Sequence, residues 1–287
     1  MSLIAPTAFR LPPDEMLRAR FGHVTTWVFD LDNTLYPPDS GIWLMIHERI
    51  TLFLFELFGI DGQSAQALHR HYYSRHGTTL LGLVEDHFDQ TEQFLEFVHD
   101  IDRSALKPDP ILVREVERLP GRKLMFTNGT RNHAILTARQ LGLDGLFEDA
   151  FDIVAAGLKS KPAEAAYNAF FERCQVDPQA AAMFEDMSKK GMTTTLVTTK
   201  RGCLDHREPA DKEGSDAANV VDFVTDDLAE FLARLNSHLI QKAAGPAWWK
   251  EGKADEAAKA SARIHDAAPL PVACGDTEPP QWPGRAI

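Results

Sequence analysis

From Lys123 to Leu235 the chain alternates short apolar runs with helix-patterned segments, and this alternation restricts the fold more than any other feature. Lys123–Phe126 reads as a strand and Asn132–Leu141 as a helix; Phe151–Ala155 reads as a short strand and Ala163–Arg173 as a helix. Ala181–Phe184, Thr193–Thr198 and Val220–Val224 add three more strands ahead of a helix over Asp226–Leu235. Strands separated by helices imply βαβ units and a parallel sheet with right-handed crossovers. An earlier run, Thr25–Leu31 (TTWVFDL), has the β-branched and aromatic content of a strand buried on both faces. The expected class is α/β, with a Rossmann-like parallel sheet at its core.

Between the first and second strands the pattern turns helical. Ile42, Met45, Ile46, Ile50, Phe53, Leu54 and Leu57 recur at three- and four-residue spacing, and Gly59 supplies a stop. Ser64–Arg75 is a second helix candidate and Thr91–His99 a third, before Lys107-Pro108-Asp109-Pro110 punctuates the chain. This stretch reads as an all-helical cap inserted over the carboxyl edge of the sheet, where open α/β sheets place their sites. The expected organisation is an N-terminal extension over 1–23, an α/β core over 24–40 and 111–235, a cap over 41–110 and a tail over 236–287. The tail mixes Ala, Pro, Gly and charge, the composition of a poorly ordered segment, although Trp248, Trp249 and Trp282 are uncommon on a free surface.

Charge and cysteine usage narrow the function classes. A net charge of −12, from 30 basic and 42 acidic residues, lacks the basic face that nucleic-acid polymers require. It still permits a small anionic substrate in a local positive pocket. Cys174, Cys203 and Cys274 form no CxxC pair and no zinc-ligand spacing, which fits a reduced, cytoplasmic protein. Ile42–Phe58 is interrupted by His47, Glu48, Arg49 and Glu56, so no membrane span is expected. Oligomeric state is not legible.

Four polar clusters each follow a strand. Asp30 and Asp32 close the first strand, two residues apart, so a backbone turn can aim both carboxylates at one small volume. There one can attack phosphorus while the other manages protons; a polar turn with an Asp cap is the plain alternative. Thr127-Asn128-Gly129, after Phe126, offers a hydroxyl, an amide and a flexible backbone suited to cradling phosphate, or an ordinary turn. Lys161, before Pro162, can neutralise phosphate charge or stand solvated ahead of a helix, with Lys159 as a competitor. Glu185-Asp186, after Phe184, can complete an oxygen shell for Mg²⁺ or remain acidic loop residues.

In order and placement these clusters resemble the haloacid dehalogenase superfamily of aspartate-nucleophile phosphatases. VFDLDNTLYP, MFTNGT, SKPAEAAY and MFEDM are similar to its four motifs, and the resemblance spans roughly Val24–Leu235. DLDNTLYP with a His76-Gly77-Thr78-Thr79-Leu80 cap segment resembles the pyrimidine 5′-nucleotidase-like branch. The resemblance implies Asp30 as nucleophile, Asp32 as acid/base, Thr127 with Asn128 and Gly129 as the phosphate cradle, and Lys161 as charge stabiliser. It implies Mg²⁺ on Asp30, Asp186 and the Asp32 carbonyl, and a specificity face over Tyr72–Leu80. The implied substrate is a small phosphorylated metabolite, pyrimidine nucleoside 5′-monophosphates first. Asp32 separates the pattern from the dehalogenases, which lack that second acid.

One departure stands out. Neighbouring parallel strands need a crossover of about a dozen residues, whereas Met187–Gly191 supplies five between Asp186 and the following strand region. Either Thr193–Thr198 abandons regular parallel pairing, or the chain repacks locally, or the fold is damaged. Lys189 and Lys190 would also oppose a nearby cation. A weakened or inactive phosphometabolite-binding protein is therefore the alternative expectation, and a phosphotransferase using the same aspartyl-phosphate is a third.

Overall fold

A computed structural model describes residues 12–186, 192–198 and 222–243, with side chains to residue 239. It contains a six-stranded, fully parallel sheet in the order β3-β2-β1-β4-β5-β6. The strands are β1 (Thr26–Phe29), β2 (Arg122–Phe126), β3 (Asp149–Phe151), β4 (Ala181–Glu185), β5 (Thr193–Val197) and β6 (Phe223–Thr225). The helices among the described residues are α1 (Asp14–Phe21), α2 (Ile42–Phe58), α3 (Gly62–His76), α4 (Thr79–Glu85), α5 (Thr91–His99), α6 (Pro110–Arg118), α7 (Arg131–Gln140), α8 (Glu164–Cys174) and α9 (Leu228–Ala243).

The period-two alternation of strand side chains builds two cores, one on each face of the sheet. Trp27, Phe29, Met125, Ala182 and Phe184 join the core that also takes in α6, α7 and α9 residues. Val28, Leu124, Phe126, Ala181 and Met183 join the core with Tyr167 and Phe170 of α8. A third cluster belongs to the helical insert between β1 and β2: Phe53, Leu54, Ala65, Tyr72, Leu80, Leu83, Phe94, Leu95 and Val98, with Ile153 from the core side.

Several boundaries differ from the expected ones. The stretch 1–23 is not a bare extension: α1 buries Leu17 and Phe21, and the Phe21 ring lies 5.1 Å from Phe223 and 6.1 Å from Trp27. β3 stands earlier than Phe151–Ala155, because Asp152 turns the chain by accepting from the Ala155 and Arg131 amides at 2.8 Å each. α6 follows the proline punctuation directly, since Asp109 caps it through the Ile111 and Leu112 amides and Pro110 takes the first turn. α9 runs to Ala243 rather than stopping at Leu235, and Asn236, fully buried, donates to the Glu115 carbonyl and carboxylate. Val220 and Val221 of the expected last strand, and the expected tail beyond 243, lie outside the described residues.

The feared loss of pairing after Asp186 does not occur. β5 lies parallel to β4, with Ala182 opposite Thr193 and Glu185 opposite Leu196, although only residues 186–192 connect the two strands. No helix among the described residues is long and apolar enough to cross a membrane.

Candidate active site

The carboxyl ends of β1, β2 and β4 face one cavity of about 120 Å³, walled in part by the helical insert. Asp30, Asp32, Asn33, Asn128, Gly129, Lys161 and Asp186 line its floor; Trp43, His47, His69, Tyr73, Thr78, Thr79, Leu95 and His99 line its walls. β1 ends at Phe29 and the chain turns at once, with Asn33 in the left-handed region (φ 61°) that asparagine tolerates better than most side chains. That turn brings both aspartates over the sheet. The Asp30 amide donates to the Phe184 carbonyl of β4 at 2.9 Å, tying the turn to the neighbouring strand.

Asp30 pairs with Lys161: Nζ lies 2.8 Å from Oδ1, and both side chains are almost fully buried. Burial pushes the Asp30 carboxyl up from its ordinary value even against the Lys161 charge, and the ring of acidic groups raises the Lys161 ammonium despite burial. Lys159, the competing lysine, is exposed and does not line the cavity. Lys161 is set by Asn128, whose side-chain oxygen accepts from the Lys161 amide at 2.7 Å and whose amide donates to the Lys161 carbonyl at 3.1 Å. Asn128 thus braces two loops together.

Thr127 is buried beneath the cradle, and its hydroxyl accepts from the Gly129 amide at 2.9 Å. A Cβ at Gly129 would stand 3.0 Å from His133 Cδ2, 3.3 Å from Thr127 Oγ1 and 3.4 Å from His99 Nε2. Glycine keeps that space beside the hydroxyl open.

Asp32 is held by residues absent from the sequence-based set. The Tyr36 hydroxyl donates to Oδ1, and His133 Nε2 lies 2.9 Å from the same oxygen. Burial would raise this carboxyl, but the His133 ring and the Tyr36 hydroxyl overcome it and hold it at about 2. Tyr36 is four residues from Asp32 on the turn and could be guessed from that proximity. His133 comes from α7, 101 residues away, and no local signal announces it.

Glu185 and Asp186 end β4 side by side. Burial, then neighbouring negative charge, pushes Asp186 up to about 7, and burial raises Glu185 to about 8. The Asp186 carboxylate accepts from Asn33 Nδ2 at 3.5 Å and shares a hydrogen bond with Asp30. Glu185 accepts from the Tyr167 hydroxyl at 3.2 Å and does not line the cavity.

No group of three His, Cys, Asp or Glu side chains arranged to hold a metal occurs among the described residues. The oxygen set still fits a hard divalent cation. Asp30 and Asp186 crowd their carboxylates together in a buried site, and the Asn33 Oδ1 beside them has no hydrogen-bond partner. Three carboxylates, Asp30, Asp32 and Asp186, line the cavity beside Lys161, and oxygen-seeking Mg²⁺ would relieve that crowding of negative charge. Lys189 and Lys190 lie outside the described residues.

Of the expected specificity face, Tyr73, Gly77, Thr78, Thr79 and Leu80 line the cavity, whereas Tyr72 turns into the insert's own core and donates to Asp86. The insert adds walls that sequence spacing did not single out: Trp43, His47 and His69. These three and Tyr73 also line a larger outer groove of about 850 Å³.

The model of the haloacid dehalogenase-like hydrolases matches residues 24–189, more than half of the chain, and the chain belongs to that family. Over 130 residues it is 32% identical to Phosphate metabolism protein 8 of Saccharomyces cerevisiae. That match takes in 42% of this chain and 40% of the yeast protein, so the similarity spans less than half of the relative's length. Among solved structures, it is similar to a HAD phosphatase from Thermococcus onnurineus, at 18% identity over 75% of this chain and 98% of that one, with a TM-score of 0.47. It is similar as well to an L-2-haloacid dehalogenase from Xanthobacter autotrophicus, at 17% identity over 73% and 97% of the two chains, with a TM-score of 0.43.

Proposed function

We propose that the protein is a Mg²⁺-dependent phosphomonoester hydrolase that works through an aspartyl-phosphate on Asp30. The observation that carries this reading is the buried pair of differently treated carboxylates: Asp30 beside the Lys161 ammonium, Asp32 held through one oxygen by Tyr36 and His133. Environments that split two neighbouring acids also split their roles. The Asp30 carboxylate attacks phosphorus and the ester P–O bond breaks, with Asp32 delivering the proton to the leaving oxygen. Bound phosphate, as a like charge, raises the Asp32 carboxyl enough to carry that proton. Asp32 then takes a proton from water, which attacks the same phosphorus and frees Asp30 and inorganic phosphate. Thr127, the Gly129 backbone and Lys161 hold the phosphoryl oxygens. Asp30, Asp186 and the Asp32 carbonyl would hold Mg²⁺, which supplies positive charge against the phosphoryl group.

The cavity's size and roof support a small metabolite as substrate. A helical insert over the strand ends suits a small molecule better than a polymer, and the Trp43, His47 and Tyr73 walls suit a flat ring. Pyrimidine nucleoside 5′-monophosphates are the favoured substrates on this account, and partial likeness to a yeast protein named for phosphate metabolism agrees with phosphate chemistry. The test is phosphate release from uridine and cytidine monophosphate with Mg²⁺, wild type beside Asp30→Asn. The wild type releases phosphate and the variant does not; equal release sinks the nucleophile assignment.

A second reading has its own observation. The connection over 186–192 leaves Asp186 without the longer crossover that seats the other site residues. On this reading the protein binds phosphometabolites and turns them over slowly or not at all. A Mg²⁺ titration separates the two: retained nucleotide binding with millimolar metal affinity and no turnover favours the binder.

A further inference from the structure

We infer that Arg103 and His133 form a positioning relay that decides which oxygen of Asp32 handles protons. The inference rests on the reading of Asp32 as the acid/base. His133 is fully buried and uses both ring nitrogens: Nδ1 lies 2.8 Å from Arg103 Nη2, and Nε2 lies 2.9 Å from Asp32 Oδ1. A guanidinium only donates. Nδ1 therefore accepts, the ring hydrogen sits on Nε2, and that N–H points at Asp32. The Tyr36 hydroxyl donates to the same Oδ1. With two donors converging on one oxygen, Oδ2 is the oxygen left to face substrate and water.

Arg103 is well placed to impose this tautomer. Its other N–H groups donate to the Ile101 carbonyl at 3.0 Å, the His99 carbonyl at 2.9 Å and the Thr137 hydroxyl at 3.1 Å. The first two belong to the end of α5 and the chain leaving the insert; the third belongs to α7, one turn beyond His133. Each of these partners is uncharged; Asp32, across the imidazole, acts on the guanidinium more strongly than Asp100 does. The arrangement is a cation–imidazole–carboxylate line, and it joins the exit of the helical insert to the acid/base. Breaking it at Arg103 removes the donor that obliges Nδ1 to accept and leaves the Asp32 carboxylate as the ring's one remaining charged partner. Breaking it at His133 frees the carboxylate to rotate about the Tyr36 contact alone.

The experiment compares the wild type with His133→Leu, His133→Gln and Arg103→Met on two aryl esters, p-nitrophenyl phosphate and phenyl phosphate, with Mg²⁺ present. Nitrophenolate leaves without proton assistance, whereas phenolate needs it. Lost second-layer partners typically lower activity about 10–100-fold. In His133→Leu and Arg103→Met, kcat/KM for phenyl phosphate falls by that factor while the value for p-nitrophenyl phosphate falls less than about threefold. His133→Gln, with an amide N–H to offer the same oxygen, recovers most of the loss. Parallel losses on both esters, with no recovery in His133→Gln, overturn the relay and leave a packing role. Nitrogen-15 NMR of the histidine rings gives a readout that needs no turnover. The relay predicts a pyridine-type Nδ1 and a pyrrole-type Nε2 at His133, and the reverse contradicts it. If the wild type cleaves neither ester and releases no phosphate from uridine or cytidine monophosphate, the phosphatase reading fails while the NMR result still decides the tautomer.

Discussion

On the β2–β3 flank of β1 each crossover carries a full helix, α7 and then α8, whereas on the β4–β5 flank the chain returns through residues 186–192 alone. The site residues sort themselves accordingly. Asn128 and Lys161, on the helical flank, brace two loops together with bonds of 2.7 and 3.1 Å, and the Thr127 hydroxyl accepts from the Gly129 amide within its own loop at 2.9 Å. Asp186, on the short flank, is met by Asn33 at 3.5 Å and crowds against Asp30. On the proposed function, phosphate recognition would rest on the braced groups, and metal recognition on Asp186, whose described side-chain partner is Asn33. The parallel pairing of β4 with β5 shows that a sheet accepts a short connection when the strand register is fixed by its buried face.

Substitutions on each flank test that contrast. The largest effect is expected on the braced flank. Lys161→Met removes the buried countercharge beside Asp30 and the phosphoryl oxygens, and kcat should fall about 10²–10³-fold, as for loss of a preorganised donor. Inhibition by inorganic phosphate should weaken in step; unchanged inhibition would detach Lys161 from the phosphate. Asp186→Asn should leave phosphate inhibition within about twofold while raising the Mg²⁺ concentration for half-maximal activity about 10–100-fold, taking the range for lost metal-site partners as a floor. Equal weakening of both would erase the distinction between the flanks.

The smallest effect concerns the insert. His69 is buried, and burial, with Arg70 nearby, lowers its imidazole to about 4 from an ordinary 6.5. The unfolded chain therefore takes up a proton at higher pH than the folded one. Stability should be full above pH 6.5, fall as the pH drops towards about 4, and level off below that. Urea midpoints across this range check it, with a shallower slope expected for His69→Gln and an unchanged slope contradicting the assignment.

Much of the core was legible because buried parallel strands leave a dense local signature, as TTWVFDL and KLMF do. The polar clusters after those strands could be read for the same reason: strand ends fix where the next residues point. Boundaries set by single side chains were not. The Asp152 turn that shortens β3 takes the Arg131 amide from 21 residues away as well as the local Ala155 amide, and the Asn236 amide beyond Leu235 bonds Glu115, 121 residues away. Phe21, in a lead-in of polar look, is core only because Trp27, Phe223 and Phe231 surround it. At the site, Asp30, Asp32, Thr127, Lys161 and Asp186 were placed by strand order. Tyr36, His133 and Arg103 were not, since their meaning lies in hydrogen bonds formed after the chain has folded.

In the proposed reaction Asp30 carries the phosphoryl group while Asp32 resolves it. Asp32→Asn, mixed with excess p-nitrophenyl phosphate and Mg²⁺, tests it most directly. The activated ester needs no proton to leave, so Asp30 should still be phosphorylated, but no base remains to activate water. A burst of one equivalent of p-nitrophenol followed by a stall is predicted, with one acid-stable phosphoryl adduct on the peptide containing Asp30. Steady release without a burst, or an adduct on any other residue, would contradict it.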